Sequence, residues 1–190
     1  MPVKPLDPDE KKLLLTIARQ ALEEAVKGHP LPTLNLEQMT EPLKEIGASF
    51  VTLTKMGDLR GCIGALEAYQ PLAVDVQEHA VAAGLEDYRF QQVKPDELPK
   101  IDIEISRLTP PIPVNYKDPE DLLSILRPGV DGVIIKDGRQ RATFLPQVWE
   151  KIPSAISFLN QLCQKMGVMP DTWRRKHLEV LTYQVEEFHE

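Results

Sequence analysis

The segment Leu59-Arg60-Gly61-Cys62-Ile63-Gly64 holds the residues best suited to chemistry in this chain. It sets a thiol two positions from a guanidinium, between glycines. A free thiol titrates near ~8.5 and is only a few per cent thiolate at neutral pH. A neighbouring cation, or backbone amides turned toward the sulfur, favours the anion and raises reactivity. Gly61 and Gly64 permit positive φ and close approach of a ligand to the backbone, and successive amides in such a turn can form an anion nest. On this pattern Cys62 is the candidate catalytic residue. Arg60, Gly61 and Gly64 are candidate binding residues for an anionic small molecule. A structural reading stands beside it: cysteine is among the most buried residue types, and glycines mark bulges where a strand bends. The spacing is neither a P-loop nor a dinucleotide fingerprint, because G-K-[ST] and G-x-G-x-x-G are absent.

Three further charged residues join the candidates. Asp87 and Arg89 follow the expected end of a helix, where functional residues gather; two such charges can equally pair with each other. Glu104 alternates with Ile103 and Ile105, so it sits on the face opposite the apolar one. It lies near Arg60 if that face lines the inside of a curved sheet, and is solvated if the face meets water. His79 could act as a base for Cys62 only if its helix packs under the turn. The four histidines form no H-x-x-x-H pair and there is no C-x-x-C, so neither a metal site nor a cofactor is expected. Cys163 falls on the apolar stripe of its helix and reads as core.

The elements that position these residues follow from periodicity. Asp7-Pro8-Asp9-Glu10 has capping-box spacing ahead of Leu14, Ile17, Ala18, Ala21 and Leu22, and Gly28 and Pro30 end that helix. Residues 30–47 read as a Pro-rich loop. Ser49–Lys55 alternates, with Val51 and Leu53 on one side and Phe50, Thr52 and Thr54 on the other. Met56-Gly57-Asp58 supplies a turn and a second strand starts near Leu59. Pro71 opens a helix to about Asp87, and Ile101, Ile103 and Ile105 mark a half-buried strand. A short helix over Asp118–Leu126 follows. Val133–Lys136, Asp137-Gly138 and Arg139–Leu145 form a hairpin, Ser154 caps a helix stopped by Gly167, and Leu178–Phe188 reads as a closing strand. Hairpin, helix and strand thus recur over about 49–107 and 133–188. The expected fold is α+β, with the two repeats around one curved, barrel-like, mostly antiparallel sheet. The chain is one domain over 1–190, with two lobes near 1–110 and 111–190 as the alternative division.

Composition narrows the function. The 190 residues suffice for one substantial core, and 42% apolar with 27% charged content is that of a folded domain. A net charge of −7 disfavours nucleic-acid binding; the densest basic cluster, Arg174-Arg175-Lys176, reads as a solvated helix end. Two widely spaced cysteines, no apolar leader and no run near the ~18 apolar residues of a membrane span suggest the cytoplasm.

Leu59–Gly64, preceded by Ser49-Phe50-Val51-Thr52-Leu53, resembles the signature of the AMMECR-one family, whose prokaryotic members are known as protein A of the AmmeMemoRadiSam system. Further blocks match in order: Asp87-Tyr88-Arg89-Phe90, Glu97-Leu98, Ile103-Glu104-Ile105-Ser106, Gly129-Val130-Asp131-Gly132, Thr143 to Trp149, and Phe158 to Gly167. The resemblance spans nearly the whole chain. It implies an α+β fold with a duplicated β-rich unit, and a pathway shared with a Memo-type protein and a radical-SAM protein; regulatory and nucleic-acid-related roles have also been proposed for the family. It carries no established reaction. Its motif positions fall here on Arg60, Gly61, Cys62, Gly64, Asp87 and Arg89. Tyr88 departs from the family, which often has Pro there, and alters loop stiffness. Two functions remain open: a Cys/Arg small-molecule or catalytic site, or a non-catalytic interaction or regulatory partner.

Overall fold

A computed structural model describes residues 5–190. The helices are α1 (Pro8–Val26), α2 (Glu41–Lys44), α3 (Leu72–Leu85), α4 (Pro119–Ile125), α5 (Val148–Lys151), α6 (Ala155–Met166) and α7 (Thr172–Arg175). The strands are β1 (Ile46–Lys55), β2 (Asp58–Gly64), β3 (Gln70–Pro71), β4 (Ile101–Leu108), β5 (Ile112–Pro113), β6 (Gly132–Asp137), β7 (Gln140–Phe144), β8 (Glu179–Tyr183) and β9 (Val185–His189). The expected loop at 30–47 contains a short 3-10 turn, α2 and the first residues of β1.

Local chemistry accounts for the main boundaries. At the start of α1, Glu10 N donates to Asp7 Oδ1 at 2.8 Å and Asp7 N donates to Glu10 Oε2 at 2.9 Å, a complete capping box. The β1–β2 hairpin turns on Met56 and Gly57, both at positive φ (54° and 86°), the requirement of a type I′ turn. Ser154 caps α6, and Gly167 ends it at φ 87°.

The strands build two sheets, ordered β2-β1-β4-β9 (with β3 also on β1) and β5-β8-β6-β7. In each, the first strand of a hairpin lies between its hairpin partner and the strand that follows the helix: β2-β1-β4 and β7-β6-β8. The pairings are antiparallel. The α+β class and the duplicated hairpin–helix–strand order therefore hold, but the strands do not close into one barrel. The reason lies in the final segment. Leu178–Phe188, expected as one strand, breaks at Gln184, whose N–H donates to Thr109 Oγ1 and whose carbonyl accepts from Thr109 N, both at 2.8 Å. The part before the break, β8, pairs with β6, and the part after it, β9, joins β4.

Each sheet has its own apolar core. The unit running up to Leu108, together with Glu186–Glu190, packs Leu14, Leu22, Leu53, Leu72, Val76, Ile103 and Ile105. The unit of Thr109–Val185 packs Leu122, Val133, Ile135, Trp149, Phe158, Leu159 and Cys163, with the Trp149 and Phe158 rings stacked at 3.7 Å. Cys163 is fully buried, and that burial pushes its thiol above the usual range.

Candidate functional site

Register decides where the motif's side chains go. Leu53 pairs with Gly61 but Thr54 pairs with Leu59, so Arg60 is the extra residue of a β-bulge. Beyond the bulge, Gly61 and Ile63 share the face of Leu53 and Val51, against which α3 packs. Cys62 pairs with Thr52 and points to the opposite face. On that face Thr52 also pairs with Glu104 of β4. Cys62, Thr52 and Glu104 therefore form one row across three strands, adjacent members about 5 Å apart. All three are half-buried. Thr52 Oγ1 donates to Cys62 Sγ at 3.3 Å, a bond that fixes the direction of the sulfur.

Gly61 is explained by packing. A Cβ there would lie 2.0 Å from the carbonyl oxygen of Ala83 in α3, so the helix backbone rests directly on β2. Gly64 likewise leaves room for the Phe50 ring, at 2.4 Å from a Cβ. Neither glycine has positive φ. The anion nest expected at this turn is not formed: the segment is strand, and the Cys62 amide is already engaged by the protein's own carboxylate.

That carboxylate is Asp87. Because β2 is an edge strand, the N–H and C=O of Cys62 face away from β1. Asp87 Oδ2 accepts from Cys62 N at 2.9 Å and Arg89 Nη2 donates to Cys62 O at 3.2 Å. Arg89 also grips Asp87 at both oxygens, Nε to Oδ1 at 2.9 Å and Nη2 to Oδ2 at 2.6 Å. The Asp87–Arg89 pair thus stands in for a neighbouring strand and clamps the backbone of Cys62. Asp87 is buried, and the Arg89 guanidinium holds its carboxyl well below the usual range, overcoming the opposing effect of burial.

Arg60 is directed elsewhere by the bulge. It forms a bidentate pair with Glu97, Nε to Oε1 at 3.1 Å and Nη2 to Oε2 at 3.0 Å, and donates through Nη1 to Gln91 O at 2.8 Å. Lys55 Nζ and Lys94 N complete the shell of Glu97. Arg60 first, then Lys55, hold the Glu97 carboxyl far below the usual range. The guanidinium beside Cys62 is consequently Arg89, not Arg60. The helix of His79 does pack against β2, but on the face away from the Cys62 side chain, and His79 Nδ1 bonds Asp75 Oδ2 at 3.1 Å. Sequence reasoning placed Thr52 on the correct face without giving it a role. It missed Glu97 as a hub, although Glu97-Leu98 was one of the matching blocks.

The two depressed carboxylates carry a pH prediction. A carboxylate lowered on folding contributes stability that is complete above its unfolded value, near ~4, and is lost as pH falls through the folded one. Urea unfolding is expected to show constant stability above about pH 5 and then a decline of up to about 1.4 kcal/mol per pH unit for each carboxylate. Glu97→Gln should start less stable and decline less steeply.

A model of the AMMECR1 family matches residues 15–188. A relative in Methanothermobacter thermautotrophicus is 40% identical, the match covering 100% of this chain and 99% of the relative. One in Thermofilum pendens is 36% identical over 96% and 91% of the two chains. The crystal structure of the uncharacterized protein PH0010 from Pyrococcus horikoshii is similar at a TM-score of 0.77 and 30% identity, covering 97% of this chain and 93% of that one. The α+β fold is thus shared with a solved structure, and the chain belongs to the AMMECR1 family.

Proposed function

We propose that the row Cys62–Thr52–Glu104 is a small-molecule site in which the Cys62 thiol is the reacting group. The observation that carries this reading is the held sulfur: a hydroxyl donor 3.3 Å away, on a residue whose N–H and C=O are both clamped by Asp87 and Arg89. A nucleophile needs a fixed attack direction. Glu104 offers a proton acceptor on the far side of Thr52. The Arg89 side chain is 46% exposed and retains a solvent-facing side for an anionic substituent of the ligand. In this reading the protein works in the cytoplasm, where an unpaired thiol persists, in one pathway with a Memo-type and a radical-SAM protein. Both cysteines are free, and no helix among the described residues is long and apolar enough to cross a membrane.

The test is complementation of a deletion strain with metabolite profiling. Wild type should clear the metabolite that accumulates; Cys62→Ser, folded and expressed at the same level, should not. Full complementation by Cys62→Ser would remove the thiol from the function.

One observation favours a second reading, a docking surface. Tyr88, between the anchored Asp87 and Arg89, is 94% exposed, so an aromatic ring is held out on a fixed loop, as at interaction hot spots. Co-purification with the Memo-type or radical-SAM protein that Tyr88→Ala abolishes and Cys62→Ser leaves intact would select this reading over the first.

A further inference from the structure

The unit of Thr109–Val185 contains a cleft of about 190 Å3 between Tyr116–Pro119 and Trp173–His177. In a chain of net charge −7, this cleft is lined by Lys117, Arg174, Arg175, Lys176 and His177, with Asp118 as its own carboxylate. Asp118 is turned to helix capping, its Oδ1 accepting from Asp121 N at 2.8 Å. Arg175 and Lys176 are paired, with Asp171 at 2.5 Å and Asp137 at 2.6 Å. Among the described residues, Lys117 and Arg174 have no carboxylate within ion-pair distance.

Aromatic faces hold two of these groups in place. The Arg174 guanidinium lies 4.6 Å over the Trp173 ring, and that ring is buried and fixed by its Nε1 bond to Asn160 Oδ1 at 2.8 Å. The His177 imidazole stacks on Tyr116 at 4.1 Å and 18°. Tyr116 is pinned in turn, its hydroxyl donating to Leu178 O and accepting from Leu178 N, both at 2.8 Å. A guanidinium held by its face keeps its in-plane N–H donors free for a tetrahedral anion. The volume is below the roughly 300 Å3 at which drug-sized ligand pockets begin, so it suits an anionic group rather than a whole nucleotide.

We propose that this cleft binds the phosphoryl group of a small phosphorylated molecule through Arg174, Lys117 and His177. The site is separate from the thiol row, so its failure would leave the proposed role of Cys62 untouched.

Titration calorimetry of the full chain with pyrophosphate at low salt tests it. Saturable binding of one pyrophosphate per chain is expected, weakening as salt is raised. Arg174→Gln keeps a planar group on Trp173 but removes the charge. It and Lys117→Ala should each weaken binding about tenfold, and the double variant about a hundredfold. Both positions are exposed, so unchanged unfolding curves are expected and will show that the fold is retained. Three results would overturn the proposal: no saturable binding of pyrophosphate or inorganic phosphate, equal binding by the double variant, or an affinity for single-stranded RNA that exceeds that for pyrophosphate and grows with length.

Discussion

Gly61→Ala is expected to destabilise the unit that carries the thiol by more than about 3 kcal/mol, a fall in melting temperature of about 6–12 °C for a chain of this size. The added methyl carbon would sit 2.0 Å from the Ala83 carbonyl oxygen and 3.0 Å from its carbon. Both are backbone atoms in the last turn of α3, so relief requires moving that end of the helix off the sheet. Gly84→Ala is the natural control. Its Cβ would meet Leu22 Cδ1 at 2.4 Å, the tip of a side chain that can rotate, and about 1 kcal/mol is expected. Thermal unfolding of the two variants side by side checks the contrast. Equal losses would mean that the approach of α3 to β2 is not what position 61 serves.

Arg89→Ala is expected to destabilise the protein more than Asp87→Ala at neutral pH, although they break the same pair. The asymmetry comes from burial. Asp87 is only 2% exposed at its side chain and Arg89 46%. Without Arg89 a buried carboxylate keeps only backbone donors, Cys62 N and Arg89 N. Without Asp87 the guanidinium is hydrated where it stands, and the main loss is the Cys62 N–H bond, about 1–3 kcal/mol. The Arg89→Ala defect should also shrink as pH falls toward 4. The carboxyl of Asp87, no longer held low by the guanidinium, then protonates within the ordinary range and the buried charge disappears. Urea unfolding of both single variants and the double variant at two pH values measures this. A double loss equal to the sum of the singles would contradict a direct clamp.

Much of the fold was legible in local sequence. The capping box at Asp7, the Asp137-Gly138 hairpin, the Ser154 and Gly167 boundaries and the alternation of Ile101, Ile103 and Ile105 each depend on residues within a few positions of one another. The site was legible only in outline. Cys62, Asp87 and Arg89 were named, but the hydrogen bonds joining them span 25 and 27 positions, and the Arg60–Glu97 pair spans 37. No local pattern encodes such partners. The bulge at Arg60 adds a second obstacle: one extra residue reverses the phase of a strand, so alternation alone misassigns the faces of Leu59–Gly64. The break at Gln184 is of the same kind, since an unbroken β pattern from Leu178 to Phe188 conceals that its two halves belong to different sheets.

The central claim, that Cys62 is an accessible and positioned thiol while Cys163 is packing, is tested most directly by iodoacetamide alkylation of the native protein with peptide mass spectrometry. Cys62 should be modified to completion while Cys163, at 0% exposure, stays unmodified until the protein is unfolded, and Thr52→Val should slow the labelling of Cys62. If Cys62 resists alkylation as Cys163 does and both react only on unfolding, the thiol row is structural and the account of its function fails.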